Sequence, residues 1–211
     1  MKLTVFGATG GTGAELIRQA IEAQHDVLAV VRDPARLRAA ASPHLHVMTA
    51  DVMQPAAIQD AVAGRDAVIS ALGSRNPRAK TTVCADSARS IVTAMRAAGS
   101  RRLLVVSGSG AVDAGDSALL RYVGKPAAKL FLKHQFADFR AMEDIVRGSG
   151  LNWTIVRPPR LNNRPFTARY QVRRDMNVRG SYVISRADLA AALLAFAADT
   201  GSYHAAFGVA R

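Results

Sequence analysis

Seven residues near the start of the chain, Gly7-Ala8-Thr9-Gly10-Gly11-Thr12-Gly13, have the types and spacing most able to do chemistry. Glycine gives the backbone freedom a tight turn needs, and a pyrophosphate can approach main-chain amides only where no Cβ intervenes. A helix starting at such a turn adds unpaired N–H groups and the positive end of its dipole. The glycines Gly7, Gly10, Gly11 and Gly13 therefore imply a dinucleotide-binding loop, provided a strand precedes them and a helix follows.

The choice between two dinucleotides is made at the next strand end. An acid there accepts from the ribose hydroxyls of NAD, whereas arginine suits a 2′-phosphate. The sequence runs Val31-Arg32-Asp33-Pro34-Ala35-Arg36, placing Arg32 at the ribose-facing position and Arg36 a helical turn beyond. Asp33 competes as an acid or caps the next turn. NADP(H) is the cofactor expected. Further along, Asp51 is placed to accept from an adenine amino group or to cap the helix before Pro55. Leu72 and Gly73 border the crevice, with Arg75 near the phosphates or the substrate mouth.

The elements that would hold these residues alternate. Residues 2–6, 26–31, 67–72, 103–106 and 152–156 read as apolar strands, with Ala50-Asp51-Val52 closing another. Such runs, lacking alternation, suit parallel strands covered on both faces. Residues 12–24 carry Leu16, Ile17, Ala20 and Ile21 on one helical face, and Cys84, Ala88, Ile91, Met95 and Ala98 recur at helical spacing before Gly99. A later helix spans 126–147. Ser185-Arg186-Ala187-Asp188 is a capping pattern for a last one, with Leu189, Leu193 and Phe196 inward. The expected fold is α/β, a doubly wound parallel sheet with helices on both faces, in one domain over residues 1–211.

Composition narrows the classes. At 211 residues with 49% hydrophobic side chains, the chain is globular rather than disordered. One cysteine, Cys84, excludes an internal disulfide and any Cys-rich metal site, and His44-x-His46 alone does not make a metal site. With neither an 18-residue apolar run nor a signal-like N-terminus, a cytoplasmic location is expected. The net charge of +12 favours anionic ligands, but no nucleic-acid-reading motif accompanies it, so neither nucleic acid nor membrane is the expected partner. Residues 157–186 hold eight arginines against Asp175 alone. They read as a basic segment covering the substrate site or as a solvated flap.

Taken together, Phe6 through Gly13, Val30-Val31-Arg32-Asp33, Asp66-Ala67-Val68-Ile69, Leu72-Gly73-Ser74-Arg75-Asn76, Gly148-Ser149-Gly150-Leu151 and Arg157-Pro158-Pro159 resemble the atypical short-chain dehydrogenases that bind NAD(P)H. Within them the nearest likeness is to the biliverdin reductase B, or NADPH-dependent flavin reductase, group. The resemblance covers nearly the whole chain and implies a Rossmann-like domain. It also implies a hydride passed to a flat conjugated acceptor, such as a flavin, quinone or tetrapyrrole. It would place Thr9 and Thr12 by the pyrophosphate, Arg32 and Arg36 on the 2′-phosphate, Asp51 and Val52 at the adenine, and Pro158 and Pro159 beside the nicotinamide. Two departures concern the acceptor side. Gly108 stands where that group has a serine, and Arg160 where it has a histidine.

Ordinary short-chain dehydrogenases use a Tyr-x-x-x-Lys pair to donate a proton. The nearest match, Tyr122-Val123-Gly124-Lys125, is one residue short. A conjugated acceptor relaxes that need, because water can supply the proton once the acceptor is stacked at reacting distance. Ser107 and Ser109 are the candidate catalytic residues, hydrogen-bonding the carboxamide or the substrate; alternatively they cap the next turn. Arg160 and Arg164 are the candidates to grip a phosphate or carboxylate of an anionic, aromatic acceptor. A non-catalytic NADP(H) sensor is the alternative function.

Overall fold

Ten strands and five helices follow one another as β1 (Lys2–Phe6), α1 (Gly11–Glu22), β2 (Asp26–Val31), β3 (Leu45–Thr49), α2 (Pro55–Val62), β4 (Ala67–Ser70), α3 (Val83–Ala97), β5 (Arg102–Val106), α4 (Lys125–Arg147), β6 (Asn152–Arg157), β7 (Arg160–Asn162), β8 (Gln171–Arg174), β9 (Val183–Ser185), α5 (Arg186–Ala198) and β10 (Ala205–Ala210) among the described residues. The computed structural model describes the chain except residues 75, 77, 78, 112, 113 and 115–124 and the side chains of 125–131. The expectations for Arg75, Tyr122 and the Lys125 side chain thus lie outside the described residues.

Seven strands pair in parallel in the order β3-β2-β1-β4-β5-β6-β10, and β8 adds antiparallel to β10 at the edge. Each strand of the inner sheet is buried on both faces, which is why its sequence is apolar without alternation. On one face α1 and α5 pack through Leu16, Ile17, Leu189, Leu193 and Phe196. On the other, α2, α3 and α4 pack through Ile58, Ile91, Met95, Met142 and Val146. This is the Rossmann-like, doubly wound architecture expected. Strand order reverses between β1 and β4, so a crevice opens at the carboxyl ends of those strands.

Two strand ends differ from expectation. β3 stops at Thr49, leaving Ala50-Asp51-Val52 beyond it, and β4 stops at Ser70. Both ends give way to chain that must turn along the crevice rim.

The basic segment after β6 is folded, not a loose flap. β8 continues the main sheet, while β7 and β9 pair in parallel as a separate two-stranded ribbon. Its anchor is the buried carboxylate of Asp188, which accepts from the Thr167 and Ala168 N–H groups at 2.8 and 3.0 Å and from the Thr167 and Ser185 hydroxyls at 2.9 Å each. Ser185 in turn caps α5, accepting from the Asp188 N–H at 2.9 Å.

Burial pushes the Asp188 pKa up. The Thr167 N–H, the Ser185 and Thr167 hydroxyls and the Ala168 N–H outweigh it, so the group lies below its ordinary 3.8. A carboxyl depressed by folding contributes stability that is complete above its unfolded value and lost as pH falls through the folded one. Thermal unfolding followed from neutral pH into the acid carboxylate range is therefore expected to show a steeper loss in the wild type than in Asp188→Asn. Parallel acid profiles for the two proteins would refute the anchor.

Candidate functional site

The glycine loop joins β1 to α1 as expected, and its glycines divide the work. Gly7 has φ +84°, and a Cβ there would lie 2.7 Å from the Ala71 carbonyl, so this position makes the turn against β4. A Cβ on Gly13 would meet the Gly7 oxygen at 2.2 Å, so this one closes helix against loop. Gly10 caps α1 with no side-chain hydrogen bond, and the first turn of α1 holds no acid. The leading amides of α1 are thus left to an outside acceptor. Gly11 has a different neighbour: the stem of Arg186 lies against it.

A crevice of about 630 Å³ opens from this loop. Its floor is the loop itself (Gly7, Ala8, Thr9, Gly10), one end carries Arg32, Asp33 and Arg36, and the far wall is Ala50, Val52, Leu72, Gly73 and Ser74. Arg32 and Arg36 are exposed and make no ion pair among the described residues. The Asp33 carboxylate accepts from the Ala35 N–H at 3.1 Å, so it caps the turn over Pro34–Arg36. Thr9, Val52, Leu72 and Gly73 line the crevice as expected. Thr12 does not: it is buried in α1. Asp51 does not line it either; its carboxylate accepts from the Met53 N–H at 3.1 Å and shapes the turn before α2. These loop amides, arginines and walls fit a dinucleotide, and the absence of a Cβ at Gly10 leaves the helix end open to it.

A second hollow, of about 660 Å³, lies beyond the carboxyl ends of β5 and β6. Phe136 and Phe139 of α4, Pro158 and Pro159, and Leu161 make its walls apolar, while Ser107, Ser109, Arg160, Asn177 and Ser181 supply polar groups. Its size and mixed lining suit a small aromatic ligand. The glycines after β5 make room for its phenylalanines: a Cβ on Gly108 would come 2.9 Å from the Phe139 ring, and one on Gly110 2.2 Å from that of Phe136. The departure at Gly108 thus follows from packing. The Ser181 hydroxyl is buried and has no hydrogen-bond partner among the described residues.

The two candidate serines differ. The Ser107 hydroxyl donates to Glu143 Oε1 at 2.7 Å. Glu143, buried on α4, also accepts from Arg157 Nε at 2.8 Å and from a second Arg157 nitrogen. Ser107 therefore borders the hollow with its hydroxyl tied into a buried network. Ser109 also lines the hollow, its carbonyl accepting from Asn177 Nδ2 at 3.1 Å. Arg157, counted among the arginines of the basic segment, is a buried structural ion and not part of a solvated face. Sequence reasoning missed Glu143, Phe139, Asn177 and Ser181; the pairing of Glu143 with a residue on the next strand leaves no local signal.

Arg160 and Arg164, grouped as substrate residues by sequence, are separated. Arg160 lines the second hollow; Arg164 lines a third one beside the glycine loop. Cys84 is no reactive thiol, since burial first and Asp138 second push its pKa up. Asp138 instead caps α3, accepting from the Cys84 and Ala85 N–H groups at 3.0 and 2.9 Å. No helix among the described residues is long and apolar enough to cross a membrane.

A family model described as NAD(P)H-binding matches residues 7–200. YhfK of Bacillus subtilis, described as an uncharacterized sugar epimerase, is 29% identical over 212 aligned positions, covering 98% of this chain and 92% of that protein. A short-chain dehydrogenase/reductase of Veillonella parvula, solved in complex with NADP, superposes with a TM-score of 0.80 at 20% identity, over 100% of this chain and 94% of that one. A Streptococcus pneumoniae protein described as a candidate NADH-flavin reductase superposes with a TM-score of 0.82 at 24% identity, over 100% and 99% of the two chains. At these identities the two solved structures establish a shared fold.

Proposed function

We propose that this chain, which belongs to the NAD(P)H-binding family, is an NADPH-dependent reductase of flat, conjugated, anionic acceptors of the flavin, quinone or tetrapyrrole kind. The observation carrying this reading is the pair of hollows along one rim of the sheet. One offers bare amides and two arginines without an ion pair among the described residues; the other offers aromatic and proline walls with Arg160 among its lining. The description of the S. pneumoniae neighbour as a candidate NADH-flavin reductase supports the acceptor class, and the NADP held by the V. parvula neighbour supports the phosphorylated cofactor.

Bound NADPH would supply the hydride. The protein's part is then to hold and to align. The loop amides and Arg32 and Arg36 hold the phosphates, and Pro158 and Pro159 set the plane beside the nicotinamide. Phe136 and Phe139 wall the acceptor space, Arg160 takes an acidic group of the acceptor, and Ser109 hydrogen-bonds the carboxamide or the acceptor. Ser107, already donating to Glu143, positions the floor rather than a proton. Water then supplies the proton at the acceptor.

The sugar-epimerase description of YhfK is the competing chemistry. In short-chain enzymes of this fold, oxidising a hydroxyl calls for the Tyr-x-x-x-Lys pair. The four tyrosines here are followed four residues on by Pro126, Arg174, Arg186 and Phe207. The lack of a Tyr-x-x-x-Lys pair leaves one further alternative, a dinucleotide-binding regulator without turnover.

Mixing the protein with NADPH and a panel of flavins, quinones and dichlorophenolindophenol, while following the nicotinamide absorbance, is expected to show acceptor-dependent oxidation. Tight NADPH binding with no acceptor oxidised would replace the reductase reading with the regulatory one.

A further inference from the structure

The third hollow, of about 480 Å³, lies against the glycine loop and is lined by Gly10, Gly11, Arg36, Arg38, Arg164 and Arg186, with Glu15 the one acid on its wall. Glu15 is already engaged by Arg18 at 2.9 Å. None of Arg36, Arg38, Arg164 and Arg186 has an ion pair among the described residues. Four guanidinium groups around one small space repel each other unless an anion of high charge sits between them.

Of the four, Arg186 is held by its side chain and Arg164 by its backbone turn. The Arg186 stem rests on Gly11, where an added Cβ would come 2.6 Å from its Cδ, and its guanidinium donates to Asn163 Oδ1 at 2.6 Å. The Arg164 N–H donates to Asn162 Oδ1 at 3.0 Å, which fixes the turn that carries Arg164. Both arginines come from the segment after β6, not from the β2 end. Arg186 lines the second hollow as well as this one.

The third hollow shares Thr9, Gly10 and Arg36 with the dinucleotide crevice. We infer that Arg164 and Arg186 complete the 2′-phosphate site of the cofactor, joining Arg32 and Arg36 through the third hollow, which Arg36 also lines. The inference rests on the NADPH reading above. It makes the acceptor-lining segment part of cofactor selection: the arginine that helps hold the phosphate also borders the acceptor space.

Calorimetry with 2′,5′-ADP and with 5′-ADP, which lacks the 2′-phosphate, tests it without any acceptor. In Arg164→Ala, an exposed position, 2′,5′-ADP is expected to bind about tenfold more weakly and 5′-ADP within about twofold of wild type. Arg186→Met is expected to weaken 2′,5′-ADP similarly, with Arg186→Lys intermediate, and melting temperatures check that each variant is folded. Wild-type affinity for 2′,5′-ADP in folded Arg164→Ala and Arg186→Met, alongside a loss in Arg32→Ala, would overturn this inference and leave the NADPH reading standing. Equal wild-type affinity for the two nucleotides would overturn both.

Discussion

Glu143→Ala is expected to destabilise the protein by about 3–5 kcal/mol, because it strands a buried arginine. Arg157 Nε and a terminal nitrogen both donate to Glu143, and the Ser107 hydroxyl joins at 2.7 Å. Arg147 stands 3.8 Å away, on the exposed side. Arg157 and Glu143 are 4% and 6% exposed at the side chain, so water cannot replace the lost partner. For a chain of this size that loss corresponds to a melting temperature lower by about 6–20 °C. Glu143→Gln keeps an acceptor and should cost less, while Arg157→Met combined with Glu143→Ala removes both charges. The double variant should therefore be more stable than the sum of the single effects predicts. Additive losses below about 1 kcal/mol each would show that the pair does not hold β6 to α4. The network borders the second hollow, so a weakened pair should also loosen Ser107 and Pro158 and raise the KM for an acceptor.

That network illustrates what the sequence could and could not disclose. β1 and β2 are legible to the residue because their apolar runs are continuous and a turn or polar residue bounds each. The α3 face is legible because Cys84, Ala88, Ile91 and Met95 repeat at helical spacing and all are buried. The cap at Ser185 is legible because its partner lies three residues away. Legibility fails where the cause is distant along the chain. Gly108 is a glycine because of Phe139, and Ser107 is immobilised by Glu143 on a later helix. β7 and β9 have three residues each, too short for a period, and all four residues of β8 are exposed and two of them arginine, as suits a charged sheet edge. Asp51 is ambiguous because an acid after a strand can serve a nucleotide or cap a helix; it does not cap α2, whose N-cap is Gln54, and its Oδ1 accepts from the Met53 N–H two residues on. A charge count also hides burial: Arg102 and Arg157 contribute to the +12 yet are buried, Arg102 donating to the Phe196 carbonyl and the Thr154 hydroxyl.

Arg32→Ala is expected to cost about 1.5–3 kcal/mol of NADPH binding, a factor of about 10–150, while NADH binding changes by less than about twofold. The expectation follows from position. Arg32 is the first residue beyond β2, lines the crevice next to Val31, and is exposed, so its charge is available without a desolvation cost before the ligand arrives. The acid beside it, Asp33, makes no ion pair with Arg32 among the described residues, its Oδ1 accepting from the Ala35 N–H instead. Arg36, one turn on, faces the same crevice, so removing both should cost less than twice the single loss when they grip one phosphate together. Arg32→Asp should go further and invert the preference, since a carboxylate at the end of this strand accepts from ribose hydroxyls and repels a 2′-phosphate. Because the site is open to solvent, added salt should weaken NADPH binding more than NADH binding in the wild type, and the difference should shrink in Arg32→Ala. Titrations of wild type and both variants with each nucleotide decide the matter. An unchanged NADPH-to-NADH ratio in Arg32→Ala would mean that the charge at the β2 end does not read the cofactor. Any remaining preference for NADPH would then have to come from Arg36 or from Arg164 and Arg186 of the third hollow.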